Sequence, residues 1–205
     1  MPFEKAGLSK AEVVDFDLAE DPTNGDAFDD LDQVWWMQFA VPSGTKRLVL
    51  EVLESSSADL DLFFGYSTSP AGVPTEGTML AASATGAVLE YYSEIDPYAY
   101  PFYWVLIQNW TGSAAPLDPV KFALGIVPDT DAGNFLLTAP SAVSAGEFFD
   151  LEITWDEPAM EPFSAWYGWF SVGNEEGVRD VTMIGETELN IYRPYDDVTK
   201  EASVE

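Results

Sequence analysis

Short apolar runs with a period of two recur along almost the whole chain, and they constrain the fold more than any other feature. "EVVDFDLA" sets Val14, Phe16 and Leu18 on one face of an extended segment, with Asp15 and Asp17 opposite. "VWWMQFAV" groups Trp35, Met37, Phe39 and Val41, and "RLVLEVLE" follows the turn residues "PSGTK". "LDLFFGYS", "GTMLAASA", "VLEYYSEI", "FYWVLIQNW" and "KFALGIV" come next. After them stand "NFLLTAP", "FFDLEITW", "AWYGWFSVG", "DVTMIGE" and "ELNIYR". Gly, Pro, Ser and Asp separate the runs, and no window keeps a helical period over three turns. The pattern predicts an all-β chain of two β-sandwich domains.

The break "VPDTDAGN" reads as a linker. It predicts domains at 1–128 and 135–193, an acidic linker at 129–134, and a free tail at 194–205, where no apolar period is seen.

Charge and absent residue types exclude several functions. The chain has 205 residues, of which 36 are acidic and 8 basic, for a net charge of −28. The two halves are similarly acidic, which suggests a solvated surface. Nucleic acid and anionic membrane surfaces are unsuitable partners, because both are held by Lys and Arg. With no His and no Cys, the imidazole base, the Ser-His-Asp triad, the usual His-ligated zinc and thiol chemistry are ruled out. No apolar run is long enough to span a membrane. "MPFEKAGLSK" lacks the apolar core of a signal peptide, so the expectation is a cytosolic protein or a piece of an exported precursor.

The stretch "SADLDLFF" runs against strand preferences. Asp59 and Asp61 share one face, roughly 7 Å apart by strand geometry. At that separation they repel by about 0.6 kcal/mol in water and about 2.4 kcal/mol at an effective dielectric near 20. Two explanations stay open: hydrogen bonds from a neighbouring loop, or a hard cation such as Ca2+, which takes carboxylate and carbonyl oxygens. The loop "DAFDDLDQ" offers further oxygens from Asp26, Asp29, Asp30 and Asp32. Asp129, Asp131 and Asn134 are spaced like part of a calcium loop without its terminal Glu. In "WYGWF", Tyr167 and Trp169 share one strand face, either as an exposed substrate platform or packed against the rest of the protein. Asn109-Trp-Thr has the form of a glycosylation sequon.

Several phrases resemble a known family. "FAVPSGTKRLVLEV", then Asp59-Leu60-Asp61-Leu62, then "PFYWVLIQNWTGSAAPLDPVKFALGIV" resemble, in order, the strands of bacterial pre-peptidase C-terminal domains. "APSAVSAGEFFDLEITWDEPAM" and "WYGWFSVG" resemble the small fibronectin-type-III-like domain that closes many secreted subtilisin-like proteases. The resemblance implies a jelly-roll-like sandwich followed by a smaller one. It also implies a non-catalytic, secreted bacterial accessory region of a serine peptidase, aiding folding, secretion, stability or substrate binding. Its implied partners are the parent's catalytic domain and a protein substrate. Relatives in collagen-degrading enzymes bind calcium near the start of the domain, which supports a metal at some of Asp29, Asp30, Asp32, Asp59 and Asp61. An independent extracellular module for a protein or glycan surface is the alternative.

Overall fold

The computed structural model describes residues 3–23, 25–144, 146–173, 183–192 and 202–203. The chain is all-β, with 55% of it in strands and 2% helical. The described strands are β1 (Phe3–Lys10), β2 (Glu12–Leu18), β3 (Trp35–Phe39), β4 (Thr45–Ser55), β5 (Asp59–Ser67), β6 (Met79–Ser83) and β7 (Tyr91–Ile95). They continue with β8 (Phe102–Thr111), β9 (Asp118–Pro128), β10 (Phe135–Thr138), β11 (Glu152–Trp155), β12 (Ala165–Gly173), β13 (Met183–Tyr192) and β14 (Ala202–Ser203). Among the described residues a single 3-10 turn, Glu76–Thr78, precedes β6. Among the described residues no helix is long and apolar enough to cross a membrane.

Two compact units are interleaved along the chain. Unit 1 comprises 1–11, 44–47 and 125–205, and unit 2 comprises 12–43 and 48–124. This division differs from a single boundary at 128–134 in two respects. The first eleven residues and the first three of β4 belong with the second half of the chain. Basic residues also divide unevenly: each unit holds eighteen Asp and Glu residues, but unit 2 has one cation, Lys121, and unit 1 has seven.

Unit 2 is built from the sheets β2-β9-β4-β7 and β3-β8-β5-β6. Aromatic side chains bring the two sheets together. Phe16 stacks on Trp35 at 4.2 Å, Trp35 meets Phe122 at 5.4 Å, and Phe64 meets Tyr92 at 4.9 Å. Trp104 and Leu106 of β8, with Ala27 and Val34, form a further cluster, against which Phe28, Leu31, Trp36 and Phe63 pack. Each large apolar side chain buried in this way contributes about 1.5–3 kcal/mol. Gly65 is required where it stands, because a Cβ there would overlap the Trp104 indole.

Unit 1 is built from the sheet β1-β12-β13-β14 and the pair β10-β11. β1 lies along β12 from Phe3↔Val172 to Lys10↔Trp166, and β12 lies along β13. One face carries Leu8, Phe135, Leu137, Trp166, Phe170, Leu189 and Ile191 as a single buried cluster. Two runs expected to be separate strands at 180–193 form one described strand, β13. Most of the expected free tail lies outside the described residues, but Ala202 and Ser203 pair with Ile191 and Asn190.

Two buried cations organise unit 1. Arg47 is fully buried. Its Nη1 donates to the carbonyls of Gly168 (2.7 Å) and Leu189 (3.2 Å). Its Nη2 donates to Glu188 (2.8 Å) and to Asn190 Oδ1 (2.8 Å). Lys46, equally buried, sits 3.9 Å from the centre of the Trp169 ring. The segment 129–134 is docked on β1 rather than free. Asn134 Oδ1 accepts from Leu8 N (2.6 Å), its Nδ2 donates to Leu8 O (2.9 Å), and Lys5 pairs with Asp131 at 3.3 Å.

Candidate functional site

The carboxylates of unit 2 fall into two groups inside the sandwich. The first is fully hydrogen-bonded. A register shift between β5 and β8 pairs Asp59 with Thr111 and Asp61 with Gln108, which leaves β8 one residue longer there. Gln108 and Asn109, consecutive and both buried, each donate to a buried acid. Gln108 Nε2 reaches Asp21 at 2.5 Å, and Asn109 Nδ2 reaches Asp118 at 3.1 Å. Asp21 also accepts from Thr23 N (2.9 Å). Asp118 accepts from Ser56 Oγ (2.8 Å) and Ser113 N (2.9 Å). Burial alone would push the Asp118 carboxyl up, but bonds from Ser113, Ser56 and Asn109 outweigh it and hold the group down at about 2. Asp118 is therefore an ionised anchor for the loop 112–118.

In the second group Glu90 is hydrogen-bonded but the two aspartates beside it are short of donors. Glu90, almost wholly buried, accepts from Ser83 Oγ, Thr85 N (3.1 Å) and Thr85 Oγ1 (2.7 Å). Asp61 is 7% exposed. Desolvation, then the charges of Asp59 and Glu90, push it up to about 6, and no hydrogen bond offsets them. Asp59 is also raised, first by desolvation and then by Glu90, and its Oδ1 is buried without a partner among the described residues. The pair of aspartates on β5 is thus not held by a neighbouring loop in the way Asp118 is. Its third member, Glu90, lies in the connection between β6 and β7, and no sequence spacing pointed to it.

The loop acids are placed differently. Asp26, Asp29, Asp30 and Asp32 are exposed. Asp26 accepts from Phe28 N (3.0 Å), and Asp30 accepts from Asp32 N (3.1 Å) and Gln33 Nε2 (2.8 Å). These are local turns, pinned to the sheet by Ala27, Phe28 and Leu31. In unit 1, Asp131 accepts from Gly133 N and pairs with Lys5. Among the described residues no group of three or more His, Cys, Asp or Glu side chains is gathered for a metal ion.

Tyr167 and Trp169 do not form an exposed platform; both are fully buried. The reason is the position of β12 between β1 and β13, with the Lys46 and Arg47 side chains over the rings. Trp169 Nε1 donates to Glu186 (3.0 Å). Asn109 is fully buried with its amide engaged, so the sequon is closed to modification in the folded chain.

The exposed aromatics stand elsewhere, on unit 2. Tyr98 is 69% exposed. Tyr98 and Tyr100 meet at 4.7 Å, Tyr100 stacks on Tyr66 at 4.2 Å, and Tyr100 meets the buried Tyr103 edge-on at 5.6 Å. The signal was present in "DPYAYP", where two tyrosines two residues apart are bracketed by prolines.

Comparison with protein-family models and with curated proteins returned no match.

Proposed function

We propose that the chain is a non-catalytic accessory region of a secreted subtilisin-like serine peptidase, the role that its sequence resemblance implies. One observation carries the reading. Phe39 to Ser43 and Leu48 onward of the first phrase, the Asp59–Leu62 phrase, β8 and most of β9 fold within unit 2, with β5 beside β8 and β9 beside β4, while Gly44 to Arg47 belong to unit 1. Phrases scattered through an unrelated sandwich by chance would have no reason to occupy adjacent strands of one unit.

The region's chemistry agrees with this role. Asp21, Asp118 and Glu90 hold loops through backbone and hydroxyl donors, and the sequence has no imidazole or thiol to activate a nucleophile. An antibody raised against this chain tests the reading in the source organism. The expected result is a species in the culture medium heavier than 22.5 kDa that also labels with a fluorophosphonate serine-hydrolase probe. A species confined to the cell interior and never joined to a labelled polypeptide would overturn it.

A second reading, an independent binding module, is favoured by one specific observation: the exposed tyrosine cluster around Tyr98 on unit 2.

A further inference from the structure

The two aspartates of β5 meet the connection between β6 and β7. Leu60, which separates them, donates its N–H to Ala87 O of that connection at 3.3 Å. The connection is folded on itself by Ser83 and Thr85, which donate to Glu90. Glu90 is thereby held near β5, and its charge acts on both aspartates. Asp61 is more than nine-tenths buried, and no hydrogen bond among the described residues reaches its carboxylate. Asp59 presents a further buried oxygen, Oδ1, with no partner among the described residues. Lys121, the one basic residue of unit 2, is engaged by Glu54 at 3.3 Å instead.

Asp118 shows how the same unit otherwise treats a buried acid: Ser56, Asn109 and Ser113 all donate to it. Asp59 and Asp61 have no such donors among the described residues. A buried carboxylate without donors is neutralised by a proton or by a coordinated metal ion. With no His and no Cys in the chain, only oxygen ligands are on offer, and these select a hard cation. Mg2+ keeps several of its waters and demands near-octahedral geometry, whereas Ca2+ accepts carboxylates and backbone carbonyls in a flexible shell. A largely dehydrated pair of carboxylates therefore suits Ca2+.

We infer that Asp59 and Asp61 bind one Ca2+ where β5 meets the β6–β7 connection, with Glu90 adding negative charge beside the ion. The two aspartates are its carboxylate ligands, and backbone carbonyls and water complete the shell. The inference does not depend on whether a peptidase is the parent, which the antibody experiment decides separately.

The test is equilibrium dialysis of the full chain against radioactive Ca2+ in about 0.5 M NaCl, where loose attraction to an acidic surface is screened. At pH 8 the wild type is expected to retain one Ca2+ per chain. Asp59→Asn and Asp61→Asn keep the side-chain size and should each weaken binding by about tenfold or more. Asp29→Asn with Asp30→Asn, on the exposed loop before β3, is expected to bind like wild type. Melting in EDTA verifies that every variant is folded. Protons compete with the ion at Asp61, which faces the charges of Asp59 and Glu90 and whose carboxyl is raised to about 6. The affinity of the wild type should therefore fall about tenfold from pH 8 to pH 5. Four outcomes each overturn the inference: no Ca2+ retained at pH 8, wild-type retention by Asp61→Asn, equal affinity at pH 5 and pH 8, or loss of the ion from the Asp29, Asp30 variant while the β5 variants keep it. A pair that only shares a proton gives the first of these results.

Discussion

Replacing Arg47 by Ala should destabilise unit 1 by about 3–5 kcal/mol, the scale of breaking a buried ion pair from one side. Four acceptors lose their donor at once: the carbonyls of Gly168 and Leu189, the Asn190 amide oxygen, and Glu188. The three neutral acceptors are buried, so water cannot fully replace the guanidinium, and each unsatisfied group adds its own desolvation cost. Tyr167 also loses the cation over its ring. Arg47→Lys should recover only part of the loss, since one ammonium cannot reproduce the planar fork that serves β12 and β13 together. Glu188→Gln should cost much less, because Glu188 retains 29% side-chain exposure and the other three bonds survive. Hydrogen exchange reads the units separately. Amides of β12 and β13 should lose protection in Arg47→Ala while those of β8 in unit 2 keep theirs. Equal loss in both units, or wild-type protection in β12, would contradict this placement of Arg47.

The pH dependence of unit 2 should be set by Asp61. Its carboxyl is raised from the ordinary 3.8 to about 6, so it holds its proton more tightly folded than unfolded. The stability this adds is complete below the unfolded value and is lost as pH rises through about 6. Between pH 5 and pH 8 the loss should be about 1 kcal/mol, because only the interval from pH 5 to about 6 contributes, at 1.36 kcal/mol per unit less the relaxation around the charge. Asp118 has the opposite sign. It is held at about 2, so its contribution is present above its ordinary value and fades only in strong acid. It leaves the interval from pH 5 to pH 8 untouched. Asp61→Asn should therefore flatten the profile over that interval and make unit 2 more stable than wild type at pH 8. Urea titrations at pH 5 and pH 8 measure the effect. A less stable Asp61→Asn at pH 8 would mean that the ionised form is the one the fold favours.

These two residues show what could and could not be read from the chain. The strands β4, β5, β8 and β9 were legible because their apolar alternation is local. That Asp59 and Asp61 share a face was legible for the same reason. What they face was not: Glu90 arrives through the β6–β7 connection, and no spacing encodes it. β1 was missed because "FEKAGLSK" alternates weakly and carries Gly7 at its centre. Its strand character comes from pairing with β12, about 160 residues away in sequence. The burial of Lys46 and Arg47 had no local signal, since Lys and Arg are almost never fully buried unless paired. Their partners, Trp169, Glu188 and Asn190, are supplied by the far end of the chain. The Tyr167 and Trp169 pair stayed open between platform and packing for the converse reason: alternation identified one shared face but not the basic side chains that cover it.

We propose that the chain is not itself a catalyst, with Asp21, Asp118 and Glu90 holding loops of the scaffold. The most direct measurement is hydrolysis of casein and gelatin by the purified chain from pH 5 to pH 9, with Ca2+ or with EDTA. The account predicts no turnover above a mock purification at any pH. Reproducible hydrolysis that co-purifies with the chain and is abolished by Asp61→Asn or Asp59→Asn would contradict it, since those carboxylates would then be reacting groups rather than part of the frame.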